Sequence, residues 1–168
     1  MISKLIESPI CQGLAEREAA AIFEIAHPTS LARCDVLFRE GDPADALFVL
    51  LEGALEIVAE STDGKRHVLG RIPAGGVVGE MALLERSPRR SATAVATSDS
   101  RLLKLPSERF AQLLESDSVA ALKMMHNVAR VLARRLQLMN ERLLQAIDKP
   151  RRTEELVEFQ RILNQWSF

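Results

Sequence analysis

Residues 79–94, GEMALLERSPRRSATA, decide the fold prediction. Gly79 and Glu80 open a short helical turn, and a Pro-Arg-Arg-Ser segment follows. Backbone N–H groups at the start of such a turn attract anions, because they lack intrahelical acceptors and the helix dipole is positive there. Arg90 can grip the same anion with two parallel hydrogen bonds, and the Ser91 hydroxyl can add a third. Glu80 suits this setting if it accepts from ribose hydroxyls, so the stretch predicts a site for a nucleotide monophosphate.

The order of these residues resembles the phosphate-binding cassette of cyclic-nucleotide-binding domains. That family includes the effector domain of bacterial catabolite activator proteins, the regulatory subunit of protein kinase A and cyclic-nucleotide-gated channels. Its pattern is Phe-Gly-Glu-hydrophobic-Ala-Leu, a short gap, then Arg-(Ala/Thr/Ser)-Ala. The matching residues here are Gly79, Glu80, Ala82, Leu83, Arg90, Ser91 and Ala92. Val78 replaces the aromatic residue before the glycine. The glycine-punctuated segment 40–53 also looks like this family's barrel, so the resemblance spans about residues 8–147.

The resemblance implies a role for each matching residue. Arg90 is expected to pair with the exocyclic oxygens of the cyclic phosphate, helped by the hydroxyl and backbone of Ser91. Glu80 is expected to accept from the ribose 2′-hydroxyl, with the Gly79 backbone close to the sugar. Backbone N–H groups of the following turn are expected to face the ligand. The predicted ligand-binding residues are Gly79, Glu80, Met81, Ala82, Leu83, Arg90, Ser91, Ala92, Arg135 and Asn140.

Recognition of the base is expected to come from the long C-terminal helix. In catabolite activator proteins, hydroxyl residues there meet the adenine amino group, and one of them comes from the partner subunit. Met139 and Asn140 stand at that place here. Asn140 can donate and accept, so it suits adenine or guanine, whereas Met139 can only pack on a base. Arg135 can reach Glu80 or the phosphate, or it is a solvated helix arginine. Cyclic AMP is the expected ligand, with cyclic GMP as the alternative, because a serine at position 91 leaves the choice open.

Hydrophobic periodicity predicts an α+β fold: an antiparallel β-roll or jelly-roll barrel flanked by N-terminal helices and a long C-terminal helix. Two short helices are predicted over residues 3–10 and 14–26. Short strand-like segments between about residues 31 and 105 predict the roll, with a hairpin at Asp63-Gly64. Ser107 can cap a short helix, and Ser118 can cap a long one that runs to about residue 147.

Two apolar stripes run along the long helix. One comprises Leu122, Met125, Ala129, Leu132, Leu136, Met139, Leu143 and Ala146. The other comprises Met124, Val128, Val131 and Leu138. One stripe is predicted to pack on the barrel, and the other to form a homodimer through residues 118–147. The alternative is one wide core-facing stripe in a monomer. The predicted organisation is a binding domain over 1–147 and a helical tail over 148–168, with Trp166 near its end. The helix predicted over 153–168 has three possible partners: its own barrel, a second subunit or an unidentified protein.

Composition and spacing exclude several other classes. The chain has 22 Lys and Arg against 23 Asp and Glu, so its charge does not point to nucleic acid. The residues after Pro150 are too few for the winged helix-turn-helix of catabolite activators, so DNA is not an expected partner. No long apolar run predicts a membrane span or a secretory signal, and the expected location is cytoplasmic. Cys11 and Cys34 fit no metal or redox spacing and are predicted to be buried thiols.

The predicted function is a non-catalytic cyclic-nucleotide receptor that signals by moving its C-terminal helices, without a cofactor or a metal. One alternative is a degenerate module that keeps the barrel only for dimerisation. A remote alternative is a cupin-like metal enzyme, which needs clustered histidines. Only His67 is expected in the barrel, which disfavours that class. A phosphodiesterase is disfavoured as well, because the sequence shows no metal cluster and no nucleophile–base arrangement.

Overall fold

The structure, a computed structural model, describes residues 5–61, 63–85 and 88–148. It divides into two compact units, the first ending at Ala129 and the second beginning at Arg130. The first unit contains the sheets and the short helices. The second contains the C-terminal part of the long helix. The predicted helix over 153–168 lies outside the described residues.

The N-terminal segment of the first unit is helical in short pieces. Residues 5 and 6 are helical, and Pro9–Cys11 form a separate 3₁₀ turn, so the helix predicted over 3–10 is not continuous in its described part. Pro9 cannot donate a backbone hydrogen bond, which favours a new turn at this point. Helix α1, Glu16–Glu24, confirms the second predicted helix within about two residues at each end.

Two four-stranded antiparallel sheets form the β-roll, as predicted. Their orders are β1-β8-β3-β6 and β2-β7-β4-β5. The strands are β1 His27–Leu31, β2 Val36–Phe38, β3 Ala46–Glu52, β4 Ala54–Glu60, β5 Arg66–Pro73, β6 Val77–Val78, β7 Thr93–Ala96 and β8 Ser100–Pro106. The sequence prediction missed β1 and β6. The first has few apolar residues to show an alternation, and the second is only two residues long.

The core lies between the inner faces of the two sheets. Its central cluster is Ala46, Phe48, Leu50, Leu55, Val78, Ala94, Ala96 and Leu102. Strand β3 is buried along nearly its whole length, whereas β7 alternates between buried and half-buried residues. Each fully buried Leu contributes about 1.5–3 kcal/mol relative to an exposed one. Burial of these residues therefore stabilises the position of β3 in the core.

Two helices follow the roll. Helix α2 spans Ser107–Glu115, and helix α3 spans Val119–Asp148. The prediction that Ser107 caps α2 was wrong. Its Oγ instead donates to the carbonyl oxygen of Asp45 at 3.0 Å. Ser118 does cap α3: its Oγ accepts from the N–H of Ala121 at 3.4 Å. Met124 on α3 is fully buried in the first unit, as expected for a core-facing stripe.

Asn127 of α3 joins that helix to the N-terminal segment. Its buried Nδ2 donates to the carbonyl oxygens of Ile10, at 3.1 Å, and Gln12, at 2.8 Å. An ion pair between Lys123 Nζ and Glu18 Oε2, at 2.7 Å, adds a second link. The hydrogen bond from Lys123 lowers the pKa of Glu18 from its usual value, and the bond that the carboxylate accepts from the backbone N–H of Ala15 acts in the same direction. The N-terminal segment is thus tied to the first turns of α3.

The two cysteines differ in environment. Cys11 is buried, and burial raises the pKa of its thiol to about 12. Cys34 is exposed, so the prediction that it is buried was wrong. It lies in the turn after β1 with a φ of 75°, where its N–H donates to the carbonyl oxygen of Ala96 at 2.8 Å. The backbone of Cys34 is fixed by the turn while its side chain faces solvent.

None of the helices in the described ranges is both long and apolar enough to cross a membrane.

Asn127→Ala is expected to destabilise the protein by about 1–3 kcal/mol, because the carbonyl groups of Ile10 and Gln12 lose a buried donor. Urea unfolding measures the loss. The control is Asn140→Ala on the same helix, where the asparagine is exposed and the expected change is within about 0.5 kcal/mol. Equal losses in the two variants would show that the Asn127 amide does not hold the N-terminal segment.

Candidate functional site

Gly79 directs the chain from β6 into the 3₁₀ turn Glu80–Leu83. Its φ of 78° and ψ of 24° lie in the left-handed region, which glycine adopts without strain. A Cβ at this position would collide with Nη1 of Arg90 and lie 3.0 Å from the carbonyl oxygen of Ala46. The absence of a side chain at Gly79 therefore lets the guanidinium of Arg90 approach the backbone closely.

The Arg90 side chain is only 3% exposed and is held by several groups. Its Nη1 donates to the carbonyl oxygen of Ala46 at 2.8 Å and more weakly to that of Gly79 at 3.5 Å. Its Nη2 donates to Oδ1 of Asp45 at 3.3 Å. The guanidinium carbon lies 4.2 Å from the ring centroid of Phe38, within the range of a cation–π contact. These contacts fix the position of the charged group inside the roll.

The Nε atom of Arg90 is buried and has no hydrogen-bond acceptor among the described residues. A buried donor without an acceptor costs roughly 1–3 kcal/mol, and more when the donor is charged. Nε–H and a neighbouring Nη N–H form one edge of the planar guanidinium, with the spacing that two oxygens of a carboxylate or phosphate need. The edge of Arg90 that includes Nε is therefore suited to an anionic ligand.

Nearby carboxylates surround this cation. Burial lowers the pKa of Arg90 from its ordinary value, while the charges of Asp45, Asp42 and Glu80 act to raise it. Arginine nevertheless stays protonated at neutral pH. Burial acts to raise the pKa of Asp45, but the hydrogen bond and charge of Lys104, together with Arg90, outweigh it and lower the pKa overall. Both members of the Asp45–Arg90 pair are thus charged at neutral pH.

The other predicted cassette residues follow the same turn. Glu80 is its first residue and is 7% exposed. Ala82 is buried, and its N–H donates to the carbonyl oxygen of Gly79 at 3.1 Å, so its expected role toward a ligand stays a prediction. The structure brings Gly79, Glu80 and Arg90 together, as expected from the sequence. Among the rest, Met81 and Leu83 are half-buried, Ala92 is buried and Ser91 is exposed, while Arg86 and Ser87 lie outside the described residues.

Two neighbours of Arg90 were missed from the sequence. Neither Asp45 nor Lys104 belongs to the cassette pattern, so neither was predicted to lie at the site. Together with Phe38 and Phe48 they line a cavity of about 430 Å³ beside Arg90. Their proximity depends on the pairing of β3 with β8, which puts Phe48 opposite Lys104. The sequence offered one signal for Asp45, which is its place directly before the apolar segment that forms β3.

Arg135 and Asn140 belong to the second unit, on the C-terminal part of α3. Arg135 is half-buried and Asn140 is exposed, as is Met139. Their predicted roles at the base stay predictions. Within the described ranges, no group of three or more His, Cys, Asp and Glu side chains is placed to hold a metal ion.

The sequence profile of the cyclic nucleotide-binding domain matches residues 28–117, which include the cassette, Asp45 and Lys104. The chain belongs to the cyclic nucleotide-binding domain family. The matched region therefore includes nearly all of the β-roll and the site built around Arg90.

Two relatives show the extent of the similarity. The chain is 32% identical over 130 residues to the cyclic AMP receptor protein of Thermus thermophilus, covering 77% of this chain and 58% of that protein. It is 34% identical over 141 residues to glutaminase 1 of Bradyrhizobium diazoefficiens, covering 84% of this chain and 22% of that protein. The chain thus spans between about a fifth and three fifths of the length of these curated relatives.

A solved structure shows the fold. The crystal structure of a cyclic nucleotide-binding domain from Methylobacillus flagellatus KT superposes with a TM-score of 0.79 at 21% identity. The match covers 86% of this chain and 83% of that one. The β-roll with its flanking helices is therefore shared across a large sequence distance.

Gly79→Ala is expected to destabilise the protein more than Gly75→Ala. Both glycines have positive φ values, of 78° and 85°, so each alanine incurs a strain of about 1–2 kcal/mol. Only position 79 adds a collision with Arg90, because a Cβ at Gly75 meets nothing within 4 Å. Overpacking typically adds about 1–3 kcal/mol. Urea unfolding of the two variants measures the difference, and equal losses would mean that Arg90 does not lie against residue 79.

Proposed function

We propose that this chain is a non-catalytic receptor domain for a cyclic nucleotide and that its ligand is cyclic AMP. The observation that carries the proposal is the buried Arg90 guanidinium, whose Nε has no acceptor among the described residues. A phosphate oxygen would supply that acceptor. The turn that Gly79 opens adds Glu80 for a ribose hydroxyl.

The charges around Arg90 favour a singly charged phosphate. Asp42, Asp45 and Glu80 all act on Arg90, so the cation is set among three carboxylates. A cyclic phosphate diester carries one negative charge, which one guanidinium can neutralise. A polyphosphate would bring several negative charges close to these carboxylates, and the repulsion would oppose its binding. The site therefore suits a cyclic nucleotide better than a nucleoside triphosphate.

Cyclic AMP is preferred to cyclic GMP because a related protein is a cyclic AMP receptor protein. Asn140 can hydrogen-bond to either base, so cyclic GMP stays the alternative. A ligand-free dimerisation module is disfavoured, because such a module gains nothing from a buried Nε that has no acceptor in the described part of the chain. The similarity to part of a glutaminase and to a receptor protein supports a regulatory module that accompanies different activities.

Signalling is proposed to pass through helix α3 and a homodimer. Met124 and Val128 are buried within the first unit, whereas Leu136, Met139 and Leu143 of the second unit are 57%, 65% and 39% exposed. These three belong to the first of the two predicted stripes, called the seam from here on, and their spacings of three and four residues are typical of a coiled coil. A second copy of the helix would bury them, and ligand binding in the cassette would change how α3 is held.

Arg90→Ala is expected to weaken binding by about one to two decades, because it removes a charge-assisted contact of roughly 1.5–3 kcal/mol. Calorimetric titration with cyclic AMP and cyclic GMP measures this, after unfolding and refolding to remove carried-over ligand. Arg90→Lys keeps the charge but loses the planar fork, and it should also bind more weakly. The control is Arg89→Ala: Arg89 is exposed and its Nη1 donates to the carbonyl oxygen of Gly41, so affinity should not change. No heat with either nucleotide on folded protein would overturn the proposal.

Leu136→Glu is expected to convert the dimer to a monomer, because a charge in the seam would have to be buried without a partner. Sedimentation velocity reports the state. The control is Val68→Glu, which alters an exposed valine of β5 that is not part of helix α3 and should leave the dimer intact. A monomeric unsubstituted chain, or a dimer that persists with Leu136→Glu, would rule out this interface.

A further inference from the structure

Asp45 lies between two cations. Its Oδ1 is 3.3 Å from Nη2 of Arg90, and its Oδ2 is 2.6 Å from Nζ of Lys104. The shorter contact shows that the carboxylate is engaged more strongly with Lys104 than with Arg90. Lys104 lies on β8, which pairs with the β3 strand that follows Asp45. One carboxylate is therefore shared unequally between the proposed phosphate anchor and a second cation.

Arg90 does not need Asp45 to stay in place. Its Nη1 is held by two neutral acceptors, the carbonyl oxygens of Ala46 and Gly79, and its guanidinium stacks on Phe38. The backbone of Asp45 is also fixed independently of its carboxylate. The N–H and Oγ of Ser107 donate to the Asp45 carbonyl oxygen at 2.9 and 3.0 Å. Replacing the carboxylate alone should leave both residues where they are.

We propose that Asp45 is an internal competitor of the ligand phosphate for Arg90, and that Lys104 limits this competition by holding the Asp45 carboxylate. The inference rests on the proposed function, because it concerns the affinity of the same site. Asp45 and Lys104 are then affinity-setting residues that act through Arg90, and neither has to touch the nucleotide.

The direction of each effect follows from charge. A phosphate bound at Arg90 is repelled by the carboxylate of Asp45, and Lys104 offsets part of that repulsion. The low pKa of Asp45 keeps the carboxylate charged at neutral pH. The Asp45 side chain is 63% exposed, so solvent screens the interaction and the effect is modest. Removing Lys104 would let Asp45 act fully on Arg90 and would weaken ligand binding.

The test is calorimetric titration of the full chain with cyclic AMP and cyclic GMP. Asp45→Asn should bind about two- to fivefold more tightly, and Lys104→Met more weakly by a similar factor. The double variant should lose most of the Lys104→Met effect, because Lys104 acts through Asp45. The control is Glu52→Gln, which removes the partner of Arg101 at the far end of the same two strands. That site is roughly 20 Å away along β3, so affinity should not change.

A purely structural role predicts weaker binding for both substitutions, so the opposite signs are the deciding result. Weaker or unchanged binding by Asp45→Asn would overturn the inference, and so would failure of that variant to fold. If Lys104→Met weakens binding equally in the presence of Asp45 and of Asp45→Asn, Lys104 contacts the ligand directly and the inference is overturned as well.

If affinity falls with Arg90→Ala but does not change with Asp45→Asn, this inference is overturned and the proposed function stands. If neither the unsubstituted chain nor Asp45→Asn binds either nucleotide, the proposed function fails with it.

Discussion

The site depends on one energetic constraint, which is that a guanidinium is kept inside the β-roll. Burial opposes the charge on Arg90, and the surrounding elements offset that cost with a carbonyl from β3, an aromatic ring from β2 and a carboxylate before β3. Gly79 is needed because any Cβ would occupy the space of this group. Contacts within the described residues leave Nε without an acceptor, so the arrangement that fixes Arg90 is completed by an anion.

The local parts of this arrangement could be predicted from the sequence. The cassette places a glycine, a carboxylate and an arginine at short separations, and strand alternation indicates the roll. The elements that were missed lack a local signal. Strand β1 has few apolar residues, and β6 is too short for any period to appear. Asp45 and Lys104 meet only because β3 pairs with β8 across more than fifty residues of chain.

The helices show the same division between local and non-local information. The periodicity of α3 predicts its length, and the helix has that length. It predicts two apolar stripes without deciding which one is buried, and the structure buries Met124 and Val128 of the second. The amide of Asn127 holds two carbonyl groups of the N-terminal segment, a link across more than a hundred residues that no pattern indicates. Cys34 lies in a turn with a left-handed backbone and is exposed, although cysteine is usually buried. Ser107 bonds to Asp45 instead of capping its helix, because the loop before β3 lies within reach.

A crystal structure of the chain with cyclic AMP tests the central claim most directly. Nε of Arg90 is expected to lie about 2.7–3.2 Å from an exocyclic phosphate oxygen, with Nη1 still donating to the carbonyl oxygen of Ala46. A nucleotide bound elsewhere, or bound while Nε of Arg90 still has no acceptor, would contradict the claim that this buried arginine is the phosphate anchor.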